Sequence, residues 1–178
     1  SRMLKKEGVA ENMFDKLLTW MVIATIVGAR LGHVLFYQPD YYLKHPLEIL
    51  LIWEGGLASH GAAIGITIAL WWFARKEKID FWLLADRIVI AVALAGFFIR
   101  MGNLFNSEVF GRPTTLPWGF IFTSVDSIPR HPSQLYEALA YLLIFFFLFW
   151  YYHKKQRKPE RGVLFGWFLI LIFGVRII

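Results

Sequence analysis

Long apolar stretches alternate with short polar segments along the whole chain. Five such stretches can be recognised, at 14–37, 57–74, 81–105, 135–152 and 162–178. Each holds about 17 to 25 residues, and at about 1.5 Å per residue a helix of that length crosses roughly 30 Å of hydrocarbon. A backbone in lipid must satisfy its own hydrogen bonds, and the alternation of a membrane barrel is missing. The predicted fold class is therefore all-α, a polytopic transmembrane helix bundle.

Composition and charge agree with a lipid environment. The 178 residues are 57% hydrophobic and 18% charged, with a formal net charge of +6. The densest groups of positive charge lie in short clusters at 5–6, 75–78 and 154–158, outside the apolar stretches, so they indicate topology rather than nucleic-acid binding. Basic loops face the cytoplasm, which predicts that these clusters lie inside and that His60 and the 104–134 loop lie outside. We expect membrane lipids, and no nucleic acid, as partners.

The chain contains no cysteine. Disulfides, thiolate metal sites and a cysteine nucleophile of its own are therefore excluded, and any thiol must come from a partner. No cofactor and no metal are expected, because the sequence offers no compact set of ligands. No cleavable signal peptide is predicted. The start at Ser1 and the end inside an apolar stretch predict one transmembrane domain over 1–178 that is incomplete at both termini.

Several ionisable residues fall within or beside the apolar stretches. Each costs roughly 2.5 to 3.5 kcal/mol inside a bilayer, so each calls for a partner or a use. The set is Arg30, Glu54, His60, Asp86, Arg100, Glu108, Glu137 and Arg176. Helix rise and the predicted topology bring Arg30, His60, Arg100 and Arg176 to one depth in the outer half of the membrane. The alternative, strongest for Arg30 and Asp86, is a structural pair or a span-capping role.

The end of the third stretch carries the densest polar pattern. Arg100, Asn103 and Asn106 are three residues apart, so they share one face while the helix continues, and Glu108 follows. A guanidinium suits a phosphodiester, because its forked donors match two phosphate oxygens. The alternative is an ordinary helix end capped by the amides and the carboxylate.

Two other segments carry polar groups. His60 precedes Gly61 and Gly65, a small-residue face that lets another helix approach closely, and the same spacing recurs at 28–32. A histidine near a membrane surface is often structural, but its predicted depth favours a role beside the arginines. In the segment 130–137, Ser133 is the predicted N-cap of the fourth helix. Starting a helix does not require Tyr136 or Glu137, so these two residues remain unexplained.

These motifs together resemble the prolipoprotein diacylglyceryl transferase family. The resemblance rests on Gly28-Ala-Arg-Leu-Gly32, Ser59-His60-Gly61, Arg100-Met-Gly-Asn-Leu-Phe-Asn-Ser-Glu108 and His131-Pro-Ser-Gln-Leu-Tyr-Glu137, in this order. It implies a multi-pass enzyme of the bacterial cell inner membrane with seven helices, of which about five are present. The family's first helix, and the glutamate and last helix beyond Arg176, are absent here.

The resemblance also implies the reaction and the residues that carry it. The enzyme would transfer the diacylglyceryl group of phosphatidylglycerol to the thiol of the lipobox cysteine in a prolipoprotein signal peptide. A thioether forms and glycerol phosphate leaves, which is the first step of lipoprotein maturation. The implied catalytic set is His60, Arg100, Asn103, Glu108 and Arg176. The lipid-binding set is Arg100, Arg176, Asn106, Arg30 and Tyr136.

Some questions remain open at the level of sequence. Either His60 or Glu108 can take the thiol proton, because a histidine titrates near neutrality and the glutamate can act as base or orient the histidine. A small transporter or channel with a polar site in the outer half of the membrane is the main alternative function. A helical scaffold and another phospholipid head-group enzyme are weaker alternatives.

Overall fold

The structure, a computed structural model, describes residues 11–155 and 159–177 and is mainly helical there. Its α-helices are α1 (Glu11–Phe36), α2 (Pro39–Lys44), α3 (Ser59–Lys76), α4 (Phe81–Phe105), α5 (Ser133–Lys154) and α6 (Val163–Ile177). Two 3-10 helices, Pro46–Leu50 and Ile52–Glu54, connect α2 to α3, and two short strands, β1 (Phe120–Ile121) and β2 (Pro129–Arg130), lie between α4 and α5. The predicted all-α fold class is confirmed.

The five predicted stretches correspond to α1, α3, α4, α5 and α6, and the limits of α4 match at both ends. Within the described residues three helical segments are long and apolar enough to cross a membrane, namely Asp15–Phe36, Phe81–Phe105 and Ser133–Lys154. The segment Val163–Val175 is apolar but shorter. The chain divides after Leu84 into two compact units. The expectation of a single domain stays a prediction.

In the first unit α1 and α3 pack closely because glycines meet where the helices cross. A Cβ on Gly32 would meet the Cα of Gly61 at 2.6 Å, and a Cβ on Gly65 would meet the carbonyl oxygen of Ala24 at 2.6 Å. Small-residue spacing of this kind lets backbones approach without side chains between them. The predicted close approach is confirmed, and the partner is the other stretch with the same spacing.

The two ends of this helix pair differ in chemistry. At one end the Lys16 Nζ lies 3.8 Å from the Glu77 Oε1, beside the basic cluster at 75–78. At the other end the ring of His60 lies 5.2 Å from the ring of Phe36. The helices are therefore antiparallel, and His60 and the basic cluster occupy opposite ends, as the predicted topology requires.

In the second unit a buried carboxylate connects α4 to α6. Asp86, 1% exposed, accepts hydrogen bonds from the backbone N–H groups of Gly162 and Phe165, each at 2.8 Å. Arg87 lies over the ring of Tyr152, with its Cζ 4.6 Å from the ring centroid. The predicted span-capping role of Asp86 is confirmed, but the helix that it caps is α6 rather than its own.

The segment between α4 and α5 contains a β-hairpin that the sequence analysis did not predict. Strand β1 pairs antiparallel with β2, and the Thr114 N–H donates to the Pro129 carbonyl at 2.9 Å. Arg130 donates to Asp126 at 2.5 Å and lies over the ring of Phe110. The hydrogen bond from Arg130 holds the pKa of Asp126 below its usual value.

Candidate active site

The end of α4 folds back on itself and brings two predicted site residues together. Ser107 adopts a left-handed conformation, with φ of 57°, and its N–H donates to the Leu104 carbonyl at 3.2 Å. The next N–H, that of Glu108, donates to the Asn103 carbonyl at 2.8 Å. This pair of bonds is the Schellman ending of a helix. It returns the Glu108 side chain to Asn103, whose Nδ2 donates to Glu108 Oε2 at 3.0 Å.

Arg100 is paired with a carboxylate on the neighbouring helix. Its Nε lies 2.9 Å from Glu137 Oε2, and the side chains are only 16% and 23% exposed. Its Nη1 donates to Asn103 Oδ1 at 3.4 Å, which agrees with the shared face predicted from the three-residue spacing. The hydroxyl of Tyr141, one turn further along α5, donates to the same Glu137 oxygen at 3.2 Å. We refer to Arg100, Asn103, Glu108, Glu137 and Tyr141 as the Arg100 cluster.

The guanidinium in this cluster keeps donors available for a ligand. Arginine has five N–H donors, of which one on Nε is directed at Glu137 and one on Nη1 at Asn103. Among the described residues no carboxylate lies against Nη2 within ion-pair distance. The edge formed by Nη1 and Nη2 is the fork that matches two phosphate oxygens. Arg100 is thus anchored on one side and able to bind an anion on the other.

The first turn of α5 holds the Glu108 segment in place. Gln134, 1% exposed, donates from Nε2 to the Glu108 carbonyl at 2.6 Å. Ser133 donates from Oγ to the Val109 carbonyl at 2.8 Å. The predicted N-cap role of Ser133 is wrong, because Ser133 is the first helical residue, and Pro132, which precedes it, makes no side-chain cap. The hydroxyl that would cap α5 instead fastens the preceding loop.

The sequence pattern alone indicated no specific role for Gln134, Glu137 or Tyr141, although Glu137 stood out as ionisable. A signal for them exists, since positions 134, 137 and 141 recur at helical spacing and place polar groups on one face of an otherwise apolar helix. Of the predicted lipid-binding residues on these elements, Asn106 and Tyr136 are exposed, and the Tyr136 hydroxyl lies 3.3 Å from His131 Nδ1. Their roles stay predictions.

His60 lies in the first turn of α3, with an exposed side chain. Its ring contacts two aromatic residues at the end of α1, with centroids 5.2 Å from Phe36 and 5.7 Å from Tyr37. These contacts leave the imidazole accessible. His60 and Arg100 belong to different units, so their predicted common depth in the membrane stays a prediction.

Arg30 is buried, at 4% exposed, and its donors are directed at backbone carbonyls. Nε donates to the Ile49 carbonyl at 2.9 Å and Nη2 to that of Glu48 at 2.5 Å. Nη1 donates to Gly55 at 2.7 Å and to Gly56 at 3.3 Å. A cavity of about 690 Å³ borders the guanidinium and these glycines. The contacts favour the structural alternative, and lipid binding by Arg30 stays a prediction.

The second predicted phosphate ligand, Arg176, lies on the described backbone of α6, but its side chain lies outside the description, as does that of Glu54. The role of Arg176 therefore stays a prediction. In the part of the chain that the structure describes, no three His, Cys, Asp or Glu side chains form a group that could hold a metal ion.

Comparison with known proteins agrees with the chemistry of this cluster. The family model described as prolipoprotein diacylglyceryl transferase matches residues 1–178. A phosphatidylglycerol–prolipoprotein diacylglyceryl transferase of Tolumonas auensis is 50% identical over 178 residues, which are 99% of this chain and 69% of the relative. Proteins of the same name from Chloroherpeton thalassium and Porphyromonas gingivalis are each 46% identical and are covered over 66% of their length. The chain thus spans about two thirds of the length of these relatives.

Proposed function

Because the chain belongs to the prolipoprotein diacylglyceryl transferase family, we propose that its protein transfers the diacylglyceryl group of phosphatidylglycerol to a prolipoprotein. The acceptor is the thiol of the lipobox cysteine in the signal peptide, and the reaction takes place at the bacterial inner membrane. Three described helices that are long and apolar enough to cross a membrane support this location, because both substrates are lipid-anchored. The observation that carries the proposal is the Arg100 cluster, which offers an anchored guanidinium fork at one end of an apolar helix pair.

The charge balance of the reaction explains why a guanidinium is needed. The thiol loses its proton, the thiolate attacks the glyceryl carbon that bears the phosphate, the S–C bond forms and the C–O bond breaks. A thiolate and a phosphodiester monoanion thereby become a neutral thioether and a glycerol phosphate dianion. Negative charge thus grows on the phosphate as the reaction proceeds. Donors fixed beside the phosphate therefore stabilise the transition state more strongly than they stabilise the bound lipid. Arg100 supplies such donors, and we assign Arg176 the same task.

Two groups are suited to take the thiol proton. An unperturbed thiol has a pKa of about 8.5, so a base is needed near neutral pH. The accessible imidazole of His60 and the carboxylate of Glu108 both remain candidates. Asn103 donates to one oxygen of Glu108 and accepts from one N–H of Arg100, so it fixes the position of the carboxylate relative to the guanidinium. Its remaining amide capacity suits the glycerol hydroxyls of the head group.

The proposal is tested with purified full-length protein, phosphatidylglycerol and a synthetic lipobox peptide. Arg100→Ala is expected to abolish formation of the diacylglyceryl thioether, measured by mass spectrometry of the peptide. The matched control is Arg75→Ala, which removes an exposed arginine in the last turn of α3, where its Cζ lies 4.6 Å from the Trp71 ring centroid, and is expected to keep wild-type activity. Unchanged transfer by Arg100→Ala would refute the assignment. Absence of transfer by the wild-type protein, together with solute flux in proteoliposomes, would favour the transporter.

A further inference from the structure

We propose that Glu137, held by Tyr141, is a positioning residue that fixes the orientation of the Arg100 guanidinium for the departing phosphate. This inference rests on the proposed function, since it concerns the same site. The residues come from two helices, Arg100 from α4 and Glu137 and Tyr141 from α5. Neither α5 residue was assigned a role by the sequence analysis.

The geometry supports orientation rather than direct contact with the lipid. A single oxygen, Glu137 Oε2, receives both Arg100 Nε at 2.9 Å and the Tyr141 hydroxyl at 3.2 Å. Because Nε is the donor nearest the side-chain stem, a bond there fixes the plane of the guanidinium and leaves the distal Nη1–Nη2 edge facing away from Glu137. A carboxylate that instead took both Nη donors would compete with phosphate for the fork.

Tyr141 is itself held by the packing of the two helices. It is 7% exposed, and a Cβ placed on Gly96 would meet its Cδ2 at 2.7 Å. The missing side chain at Gly96 therefore lets the tyrosine ring lie directly against α4. A buried ring has little rotational freedom, so its hydroxyl stays directed at Glu137. The result is a chain of contacts from Gly96 through Tyr141 and Glu137 to Arg100.

The opposite charges of Arg100 and Glu137 predict which kinetic constant depends on Glu137. The carboxylate offsets part of the arginine charge, so its removal does not weaken the attraction of Arg100 for an anionic lipid. It does free the guanidinium to rotate, and catalytic groups that lose orientation lose rate. Loss of Glu137 should therefore lower kcat without raising KM for phosphatidylglycerol. Loss of Arg100, by contrast, removes the donors themselves.

The first experiment compares Glu137→Gln with Glu160→Gln in the full-length protein. Glu160 is an exposed glutamate of the same unit, outside the cluster, and serves as the matched control. Glu137→Gln is expected to lower kcat by about tenfold to a hundredfold, the range for a hydrogen bond to a charged group, while KM rises by less than about twofold. The control is expected to match the wild type. Thermal unfolding in detergent is measured on each protein, so that kcat is referred to folded enzyme.

The second experiment separates orientation of Arg100 from a structural role. A double-mutant cycle adds Glu137→Gln to Arg100→Lys, where the planar fork is gone. If Glu137 acts through the guanidinium, the same substitution lowers kcat by less than about threefold in that background. Equal losses in both backgrounds would overturn the inference. Should Arg100→Lys be too slow to assay, the cycle is run on the dissociation constant of glycerol phosphate, the leaving group, measured by calorimetry in the presence of an inert peptide analogue.

Tyr141→Phe keeps the inference testable if Glu137→Gln does not fold. It removes one hydroxyl, keeps the ring against Gly96, and is expected to lower kcat by about threefold to tenfold with KM unchanged. A wild-type rate in Tyr141→Phe, or in Glu137→Gln where that variant folds, would overturn the inference while leaving the proposed function standing. An inactive wild-type protein would refute the proposed function instead, so the two failures are distinct.

Discussion

Replacing Asp86 should loosen the start of α6, the helix that carries Arg176. The Asp86 carboxylate is 1% exposed, and its two oxygens accept from the N–H groups of Gly162 and Phe165 at 2.8 Å each. In Asp86→Ala both N–H groups lose this acceptor in a partly buried position. An unsatisfied buried donor costs about 1 to 3 kcal/mol, and loss of an N-cap about 0.5 to 2 kcal/mol. We therefore expect the local stability of this turn to fall by about 2 to 4 kcal/mol.

Two further variants test whether the loss of stability depends on the Asp86 oxygens. Asp86→Asn keeps one acceptor oxygen and should lose about half as much stability. Asp80→Ala serves as the comparison, because Asp80 accepts a hydrogen bond from the Leu83 N–H at 2.9 Å, at the start of its own helix. Its loss should cost about 1 kcal/mol and should affect α4 rather than α6.

Hydrogen–deuterium exchange with mass spectrometry of the detergent-solubilised protein measures these differences. Since about 1.4 kcal/mol corresponds to a tenfold change, amides at 162–166 should exchange about 30-fold to 1,000-fold faster in Asp86→Ala. Exchange in Asp86→Asn should lie between that variant and the wild type. If 162–166 exchanged at the same rate in all of these proteins, the turn would be stable without Asp86 and the reasoning would be refuted.

Two other features give predictions of opposite kinds. Gly61→Val should lower the stability of the first unit by about 1 to 3 kcal/mol in thermal unfolding, because its Cβ would meet the Gly32 Cα at 2.6 Å. Gly166→Ala should raise the stability by about 0.5 to 1 kcal/mol, because a Cβ there has nothing within 4 Å. The lowered pKa of Asp126 means that its stabilising contribution is present above the unfolded value of about 3.9 and is lost as pH falls through the lower folded value. Proteolysis of the β-hairpin between about pH 3 and pH 7 should therefore show an acid-sensitive phase that Asp126→Asn removes, and a phase that persists in that variant would contradict the assignment.

The helices could be predicted because a bilayer constrains sequence so strongly. A span needs an apolar stretch of sufficient length, and the limits of α4 followed directly from its composition. The contact between Arg100 and Asn103 was also predictable, since it lies within one helix and follows from a spacing of three residues. Local periodicity therefore predicted the helices and the Arg100–Asn103 contact, which involves two of the five residues of the Arg100 cluster.

Contacts between distant segments could not be predicted in the same way. Asp86 caps α6 through Gly162, which lies 76 residues later in the chain, and no local pattern points to that partner. Ser133 has the residue type and position of an N-cap, yet its hydroxyl bonds to the Val109 carbonyl 24 residues earlier, because the folded loop brings that acceptor close. Glu137 was recognised as ionisable, but only the packing of α4 against α5 identified its partner.

The carbonyl contacts of Arg30 bear on how charged residues in apolar helices are interpreted. The segment 48–56 is built of tight turns and two glycines with positive φ, so it has few partners of its own for its carbonyl groups. A planar guanidinium reaches several acceptors at once. Here it donates hydrogen bonds to backbone carbonyls that water would satisfy in a surface loop. A lysine could not substitute, because its donors share one nitrogen. The presence of a permanent cation within a hydrophobic span is thus insufficient evidence for a substrate, and grafting this segment onto another helix would require transferring the arginine with it.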